Sequence, residues 1–351
     1  RYVSELDCMQ LRFESRTLHL RHPFIISGSQ YSEKVVFTAT LMHEGIVGRG
    51  ESSPSRYYGE PPESVQTMLS DTARWIGDIS SPADIQTLHE TLLQKYPHQP
   101  SARSCVIMAA YDWLARSCQM PLYRLWGLNP HKACRTSFTI GMDEPDVLTE
   151  KVKEAEAYPV LKIKLGNGDE DYTIMQTIRR CTDKTIRVDA NEGWQRDEAI
   201  EKITWLATQN VEYIEQPLPK ESLEDMVWLK ARSPLPLIAD ENVMTSRDIP
   251  GLHHAFHGIN LKLDKCGGMW EALRMIQTAR ALDMKIMIGC MVSTSLAMTA
   301  AAHLTPLTDE ADLDGHLLIR DDPFRGVTIN HHGQLILPES DGIGVTEQGI
   351  H

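Results

Sequence analysis

The sequence predicts an α/β protein: a modified (β/α)7β barrel of the TIM type, preceded by an α+β capping domain that the C-terminal segment completes. Short apolar runs that close on a charged residue alternate with amphipathic stretches. The closing residues lie 25, 26, 25 and 22 positions apart, at Lys164, Asp189, Glu215, Asp240 and Lys262. One strand with one crossover helix needs on the order of 25 residues, so this repeat indicates a barrel. A doubly wound sheet is the alternative, but its GxGxxG turn is missing from the sequence.

The capping domain is predicted over residues 1–130. Met9, Leu11 and Phe13 alternate with polar residues, and residues 35–42 form a β-rich run that turns at 43–45 into a third strand at 46–51. Helical periodicity follows in three segments, at residues 63–75, 83–96 and 102–116. This order of strands followed by helices is typical of an α+β unit.

The barrel is predicted over residues 131–319. Its strands are expected at residues 136–141, 161–165, 186–189, 212–216, 237–241, 259–263 and 285–290, with 312–319 as a weaker eighth. Residues 320–351 are rich in turns and strand-like at 326–330 and 334–337. We expect this segment to pack back on the capping domain.

Composition excludes several classes of partner. The 351 residues include 35 Lys and Arg against 48 Asp and Glu, a net charge of −13, which argues against nucleic acid or an anionic membrane as the main partner. The seven cysteines include no CxxC pair and are expected to be reduced thiols. No secretory signal is visible, and the longest run free of charged residues and histidine, 286–302, is too short for a bilayer span. We expect a cytoplasmic protein, compatible with a homo-oligomer.

Three acidic residues follow successive barrel strands. Asp189, Glu215 and Asp240 each come directly after an apolar run, at the end of the strand where barrel active sites form. Each acid alone could cap the helix that follows it. Three buried anions brought together would repel one another unless a cation compensates them, and Mg²⁺ binds such oxygen ligands. The spacing therefore favours a metal site.

Lysines lie beside these acids. Lys162 and Lys164 are two apart and share one face of their strand, and Lys262 stands in an equally apolar setting. Lysines at an exposed sheet edge are the alternative, but a closed barrel has no edge. Lys164 falls on the second strand and Lys262 on the sixth, half a turn away, so the two should face each other across the barrel.

This arrangement points to a proton transfer at carbon. A cation that holds the oxygens of an enolate stabilises it, and burial beside positive charge should lower the pKa of a lysine until it can act as a base. Two opposed lysines can remove a proton from one face of a carbon and return a proton to the other. The predicted reaction class is racemisation or epimerisation.

Five segments resemble the enolase superfamily, in particular its muconate-lactonizing-enzyme subgroup. They contain Lys162 with Lys164, Asp189 with Asn191, Glu215, Asp240 with Glu241, and Lys262, in order along the chain. The resemblance implies Mg²⁺ bound by Asp189, Glu215 and Asp240. It also implies Lys164 and Lys262 as bases and Lys162 as a contact of the enolate oxygen. Asn191 and Glu241 would lie just behind the metal ligands.

The subgroup contains cycloisomerases, o-succinylbenzoate synthases, N-acylamino acid racemases and dipeptide epimerases, so its fold does not determine the substrate. Asp312 and Asp314 resemble the Asp-x-Asp signature of the dipeptide epimerases, and they could bind the free α-ammonium group of a dipeptide. Thr139 matches a position that contacts the substrate backbone, and Met291 is a further predicted substrate contact.

One position departs from the subgroup members that act on Ala-Glu dipeptides. Where they carry an arginine for the glutamate side chain, this sequence has Ser29, and Arg21 and Arg56 are the nearby candidates. The predicted function is Mg²⁺-dependent epimerisation of Ala-Glu-type dipeptides at the C-terminal residue. The alternatives are an N-acylamino acid racemase, an o-succinylbenzoate synthase and a non-catalytic peptide-binding barrel.

Overall fold

The computed structural model describes residues 8–26 and 29–348, and it begins with an antiparallel sheet. Strands β1 (Gln10–Ile26), β2 (Ser29–His43) and β3 (Ile46–Ser52) pair in that order. Glu44 and Gly45, both at positive φ, form the tight turn between β2 and β3, as predicted. The register between β1 and β2 shifts after His19, so that Phe24 lies opposite Tyr31.

Helices cover one face of this sheet: α1 (Pro62–Trp75), α2 (Ile85–Lys95), α3 (Pro100–Ser117) and the short α4 (Leu122–Leu125). The first three confirm the predicted helices to within two residues at each end. Helix α3 lies unusually close to β3, since a Cβ added at Gly48 would be 2.1 Å from the carbonyl oxygen of Ala109. Glycine at this position therefore lets the helix pack directly on the strand.

Eight parallel strands form the barrel. They are β4 (Phe138–Ile140), β5 (Val160–Lys164), β6 (Thr185–Asp189), β7 (Val211–Glu215), β8 (Leu237–Ala239), β9 (Gly258–Leu261), β10 (Lys285–Gly289) and β11 (Glu310–Asp312). They are hydrogen-bonded in sequence order, and a parallel bridge between Thr136 and Ala311 joins the two ends. The predicted barrel fold is confirmed.

The outer helices are α5 (Pro145–Glu154), α6 (Glu170–Cys181), α7 (Arg196–Leu206), α8 (Leu223–Lys230), α9 (Ile249–Leu252), α10 (Leu263–Cys266), α11 (Met269–Ala281) and α12 (Ser295–Ala302). Single turns of 3-10 helix span Arg56–Tyr58, Ile76–Asp78, Pro130–Lys132, Ala155–Ala157 and Thr305–Leu307. One buried apolar cluster extends from the capping sheet through α3 into the barrel. The capping sheet and the barrel therefore share one apolar core.

The eighth strand is not at residues 312–319, as the sequence suggested. Strand β11 ends at Asp312, and the apolar residues that follow pair with the capping domain instead. Ile319 forms an antiparallel bridge with Leu20 of β1, and Arg21 N donates to Leu318 O at 2.8 Å. The apolar side chains at 317–319 thus serve the junction between the two units.

The C-terminal segment forms four two-residue strands: β12 (Phe324–Arg325), β13 (Thr328–Ile329), β14 (Leu335–Ile336) and β15 (Thr346–Glu347). It contacts the capping domain where Ile343 N donates to Asp112 Oδ1 at 2.7 Å, and the barrel unit where Val327 N donates to Thr299 Oγ1 at 2.9 Å. The domain boundaries after residues 130 and 319 stay predictions. All seven cysteines are free. Within residues 8–26 and 29–348, no helix has the length and hydrophobicity needed to cross a membrane.

Candidate active site

A cavity of about 460 Å³ lies where the barrel strands end beneath the capping domain. Its floor contains side chains from the ends of the barrel strands, and its roof contains side chains from β1, β2 and the loop around residues 55–58. Eleven charged or polar side chains that the sequence singled out are found at this end of the barrel.

Three carboxylates form the centre of the floor. Asp189 and Glu215 end strands β6 and β7, and Asp240 directly follows β8. Each residue is at most 1% exposed, and one oxygen from each lies within 4.8 Å of the others. Three hard oxygen ligands at this separation can hold a divalent cation and leave further positions for water or substrate. The structure thus brings together the predicted metal ligands.

Hydrogen bonds fix the orientation of these carboxylates. Asn191 N donates to Asp189 Oδ1 at 3.0 Å, and Asn260 Nδ2 donates to Glu215 Oε1 at 2.7 Å. Burial raises the pKa of Glu215 to about 7, and the neighbouring charge of Asp189 adds to the rise. A divalent cation would offset this repulsion, so the residues present fit a metal.

Three lysines surround the triad. Lys162 Nζ lies 2.8 Å from Glu215 Oε2, Lys164 Nζ donates to Asp189 Oδ2 at 2.7 Å, and Lys262 Nζ donates to Asp240 Oδ2 at 2.6 Å. Lys164 ends β5 and Lys262 directly follows β9, which are the second and sixth strands of the barrel. Lys164 and Lys262 therefore stand half a turn apart, and both line the cavity.

The expectation that burial lowers the pKa of the lysines is not met for Lys162 and Lys262. Burial does lower the pKa of Lys162, but Asp312 and Glu215 raise it further, to well above its ordinary value. Burial also lowers the pKa of Lys262, but the charge of Asp240 outweighs this effect, and the pKa is raised. The effect of positive neighbours is outweighed because carboxylates lie within hydrogen-bond distance of these ammonium groups.

Asp312 and Asp314 line the cavity across from the triad. Asp312 accepts hydrogen bonds from Lys162 Nζ at 2.7 Å and Ser137 Oγ at 2.8 Å. Asp314 Oδ2 accepts one from Thr139 N at 2.5 Å. Burial, reinforced by the charge of Asp312, raises the pKa of Asp314 to about 7. A cation bound here would stabilise both carboxylates.

The other predicted contacts also border the cavity. Thr139 and Met291 line it, as do Asn191 and Glu241. Asn191 Nδ2 donates to Glu241 Oε1 at 3.2 Å, while Glu241 Oε2 is buried without a hydrogen-bond partner among the described residues. The structure therefore brings together all twelve residues that the sequence assigned to the site.

The roof contains residues that the sequence reasoning missed: Tyr31, Lys34, Tyr57 and Tyr58. The Tyr57 hydroxyl donates to Glu192, which also accepts a 2.7 Å hydrogen bond from Lys220 N and so connects the capping loop to the barrel. Tyr57 and Tyr58 lie in a single turn of 3-10 helix, and Tyr31 and Lys34 lie near the start of β2, where no periodic pattern marks them as site residues. Only the docking of the two units places them at the cavity.

The two arginines considered for a substrate side chain do not line this cavity. Arg56 Nη2 donates to Glu63 Oε1 at 3.0 Å, with both side chains 71% exposed. Arg21 Nε donates to Leu317 O at 3.0 Å and borders a smaller neighbouring cavity. Residues 27 and 28 and the side chain of Ser29 lie outside the part of the chain that the structure describes.

The fold and site together define a (β/α)-barrel protein with a carboxylate triad and lysines at its strand ends. The sequence matches two family descriptions: "Mandelate racemase / muconate lactonizing enzyme, N-terminal domain" over residues 10–127 and "Enolase C-terminal domain-like" over residues 147–348. The chain therefore belongs to the mandelate racemase / muconate lactonizing enzyme family of the enolase superfamily, which confirms the resemblance.

Similar proteins have been named as epimerases. An L-Ala-D/L-Glu epimerase from Bacteroides thetaiotaomicron is 40% identical over 339 residues, which cover 96% of this chain and 88% of that protein. An L-Ala-D/L-amino acid epimerase from Pedosphaera parvula is 39% identical, covering 91% and 94%. The crystal structure of a dipeptide epimerase from Cytophaga hutchinsonii, complexed with Mg and D-Ala-L-Val, superposes with a TM-score of 0.91 at 27% identity, covering 97% and 96%. This chain is an isomerase of the racemase and epimerase type.

Proposed function

We propose that this chain is a Mg²⁺-dependent dipeptide epimerase that inverts the α-carbon of the C-terminal residue of Ala-Glu-type dipeptides. The observation that carries the proposal is the pair Asp312 and Asp314, buried across the cavity from the triad. A dipeptide has a carboxylate at one end and an ammonium group at the other, and the cavity offers a complementary group for each. The names of the similar proteins support the same substrate class.

The triad of Asp189, Glu215 and Asp240 would hold the Mg²⁺ ion, which, when bound, stabilises the negative charge that develops on the substrate carboxylate. Lys162 lies 2.8 Å from Glu215 and donates to Asp312, so its ammonium group stands between the metal end and the amine end of the cavity. From there it can donate a hydrogen bond to an oxygen of the enolate. Its raised pKa keeps it charged for this role.

Lys164 and Lys262 are placed to exchange the α-proton. They approach the cavity from strands half a turn apart, so a planar enolate between them presents one face to each Nζ atom. One lysine, in its neutral form, takes the proton from one epimer, and the other, in its ammonium form, returns a proton to the opposite face. This two-lysine transfer inverts the carbon without any other bond being broken.

The acidic pair separates this proposal from the alternatives. N-acylamino acids and succinylbenzoate lack a free ammonium group, and binding them would leave Asp312 and Asp314 without a substrate cation. A protein that only binds peptides has no chemical need for two opposed lysines beside a carboxylate triad.

The test is a library of dipeptides incubated with the protein and Mg²⁺ in D₂O and read by mass spectrometry for deuterium at the α-carbon. We expect deuteration of free dipeptides, strongest for Ala-Glu and its relatives, and none in excess EDTA. Exchange of N-acyl or N-succinyl amino acids without exchange of free dipeptides would identify a racemase instead. The absence of exchange in every compound would favour the peptide-binding alternative, and undiminished exchange in EDTA would contradict the metal assignment.

A further inference from the structure

The geometry of a planar enolate fixes where the substrate side chain must go. Its α-carbon has three substituents in one plane, and the two faces are taken by Lys164 and Lys262. The carboxylate points to the triad on β6, β7 and β8, and the nitrogen points toward the acidic pair at the end of β11. The third substituent, the side chain, is left to point out of the barrel toward the roof.

Among the described residues, the roof contains one lysine. Lys34 of β2 lines the cavity beside Tyr31 and Ser55, and it is half-buried. Its Nζ donates a 2.6 Å hydrogen bond to Pro54 O, which uses one of its three N–H groups. Two donors are therefore available to a ligand in the cavity.

Lys34 differs from the lysines of the floor in its pairing. Lys162, Lys164 and Lys262 each lie within 2.8 Å of a carboxylate, but in the part of the chain that the structure describes no carboxylate oxygen lies within 4.0 Å of Lys34 Nζ. Asp264 attracts it from a greater distance and is itself bonded to Ser53 N at 2.9 Å. A partly desolvated ammonium group without an ion pair is a strong site for an incoming carboxylate.

Two carboxylates also border the roof, and hydrogen bonds occupy both oxygens of Glu192 and one oxygen of Glu241. Glu192 accepts hydrogen bonds from Tyr57 and Lys220 N, and Glu241 accepts one from Asn191 on the side of the metal ligands. A basic substrate side chain near these acids is the competing arrangement. Lys34 is the one cation that the capping domain's described residues contribute to the cavity.

We propose that Lys34 binds the side-chain carboxylate of an acidic C-terminal residue and so sets the preference of the enzyme for Glu-type dipeptides. The inference rests on the proposed function, because it assigns a specificity to the same cavity. Lys34 takes the part that sequence reasoning gave to Arg21 or Arg56, neither of which reaches the cavity.

The experiment compares kcat/KM for L-Ala-L-Glu, L-Ala-L-Gln and L-Ala-L-Lys, since glutamine has the shape of glutamate without its charge. We expect the wild-type enzyme to prefer Glu over Gln by roughly 10- to 100-fold, the contribution of a hydrogen-bonded charge pair. In Lys34→Met the ratio should fall to about 1, whereas Lys34→Arg should keep most of it. Arg56→Gln removes an exposed charge from the same domain and should leave the ratio unchanged.

The ratio of two substrates measured on one preparation does not depend on how much of a variant is folded. A wild-type enzyme without a preference for Glu over Gln, or with a preference for Lys, would refute the assignment even if no Lys34 variant could be purified. An unchanged ratio in Lys34→Met would refute it while leaving dipeptide epimerisation intact. A wild-type enzyme that exchanges the α-proton of no dipeptide would overturn the proposed function, and this inference with it.

Discussion

Replacing Asp314 with asparagine should remove one negative charge from the amine end of the cavity and change its shape very little. Asp314 is 2% exposed, and its Oδ2 accepts a 2.5 Å hydrogen bond from Thr139 N. The amide oxygen of asparagine can accept the same bond, so the backbone of β4 should stay in place. The loss measured would then be the loss of charge.

The size of the effect follows from how the two carboxylates are already paired. Asp312 is paired with Lys162 at 2.7 Å, whereas in the described part of the chain no Lys or Arg nitrogen lies within 4.0 Å of Asp314, so Asp314 is the carboxylate left to pair with the substrate ammonium group. Removing one partner of a buried charge pair costs about 2–5 kcal/mol, and about 3 kcal/mol corresponds to roughly 10²-fold in kcat/KM. We expect Asp314→Asn to lose about this much on L-Ala-L-Glu.

The pH dependence gives a second signature of the same group. Burial and the charge of Asp312 raise the pKa of Asp314 to about 7, and only its ionised form pairs with an ammonium group. The ionised form is present above this pKa and is lost as pH falls through it. The wild-type kcat/KM should therefore decline below about pH 7, and Asp314→Asn should lack that part of the decline.

The assay is a cycle of four measurements. L-Ala-L-Glu and N-acetyl-L-Ala-L-Glu are each tested with wild-type enzyme and with Asp314→Asn, by α-proton exchange in D₂O. N-acetylation of the substrate and Asp314→Asn should each lower kcat/KM roughly 10²-fold. Once one of these changes has been made, the other should lower it little further. Asp341→Asn, at an exposed carboxylate, is the matched control and should have no effect. Equal wild-type rates on both substrates, or equal losses on both in the variant, would refute the reasoning and favour the racemase alternative.

Three further results are expected. Glu215→Gln should weaken Mg²⁺ binding at least tenfold in isothermal titration calorimetry, because a charged oxygen ligand becomes neutral; unchanged affinity would place the metal elsewhere. Lys164→Ala and Lys262→Ala should each abolish epimerisation. In NMR spectra recorded in D₂O, one variant should still exchange the α-proton of the L epimer and the other variant that of the D epimer. Loss of exchange in one variant with undiminished epimerisation in the other would indicate a single base. Glu51 is 1% exposed and accepts a hydrogen bond from Thr294 N, and burial raises its pKa from 4.5 to about 8. Between pH 4.5 and pH 8 the folded protein therefore binds more protons than the unfolded chain, and its stability falls as the pH rises through that interval. Glu51→Gln should reduce this loss by about 1 kcal/mol or more in thermal melts at pH 5 and pH 9, and identical pH profiles for the two proteins would contradict the assignment.

The barrel and its charged floor could be predicted because a repeat constrains them. A closed parallel barrel needs one strand and one helix per unit, so residues near 25 positions apart recur at the same end of successive strands. Asp189, Glu215 and Asp240 were located in this way, and the period of two along β5 put Lys162 and Lys164 on one face. These inferences need no knowledge of which distant segments touch.

The eighth strand and the roof could not be predicted because distant contacts decide them. The apolar residues at 317–319 read as a strand, but Ile319 pairs with Leu20 of the capping sheet. A local apolar pattern shows that a segment will be buried, but it does not show which other part of the chain the segment will pack against. Lys34 reads as an ordinary surface lysine for the same reason, since only the docking of the capping domain turns it toward the cavity.

The same division separates the chemistry of the site from its selectivity. The lysines proposed to move the proton stand at the ends of barrel strands, and the closed sheet fixes the spacing of these strands. A shift of one strand would therefore disturb the strands hydrogen-bonded to it. The groups proposed to choose the side chain stand on the capping domain, where the register between β1 and β2 breaks after His19 and brings Phe24 opposite Tyr31. Tyr31 stands beyond this break and Lys34 pairs with Leu18 just before it, so neither residue belongs to the hydrogen-bond ladder of the barrel. Substitutions at Lys34 or Tyr31 should therefore alter which dipeptide is accepted and leave the exchange of the α-proton in the preferred dipeptide fast.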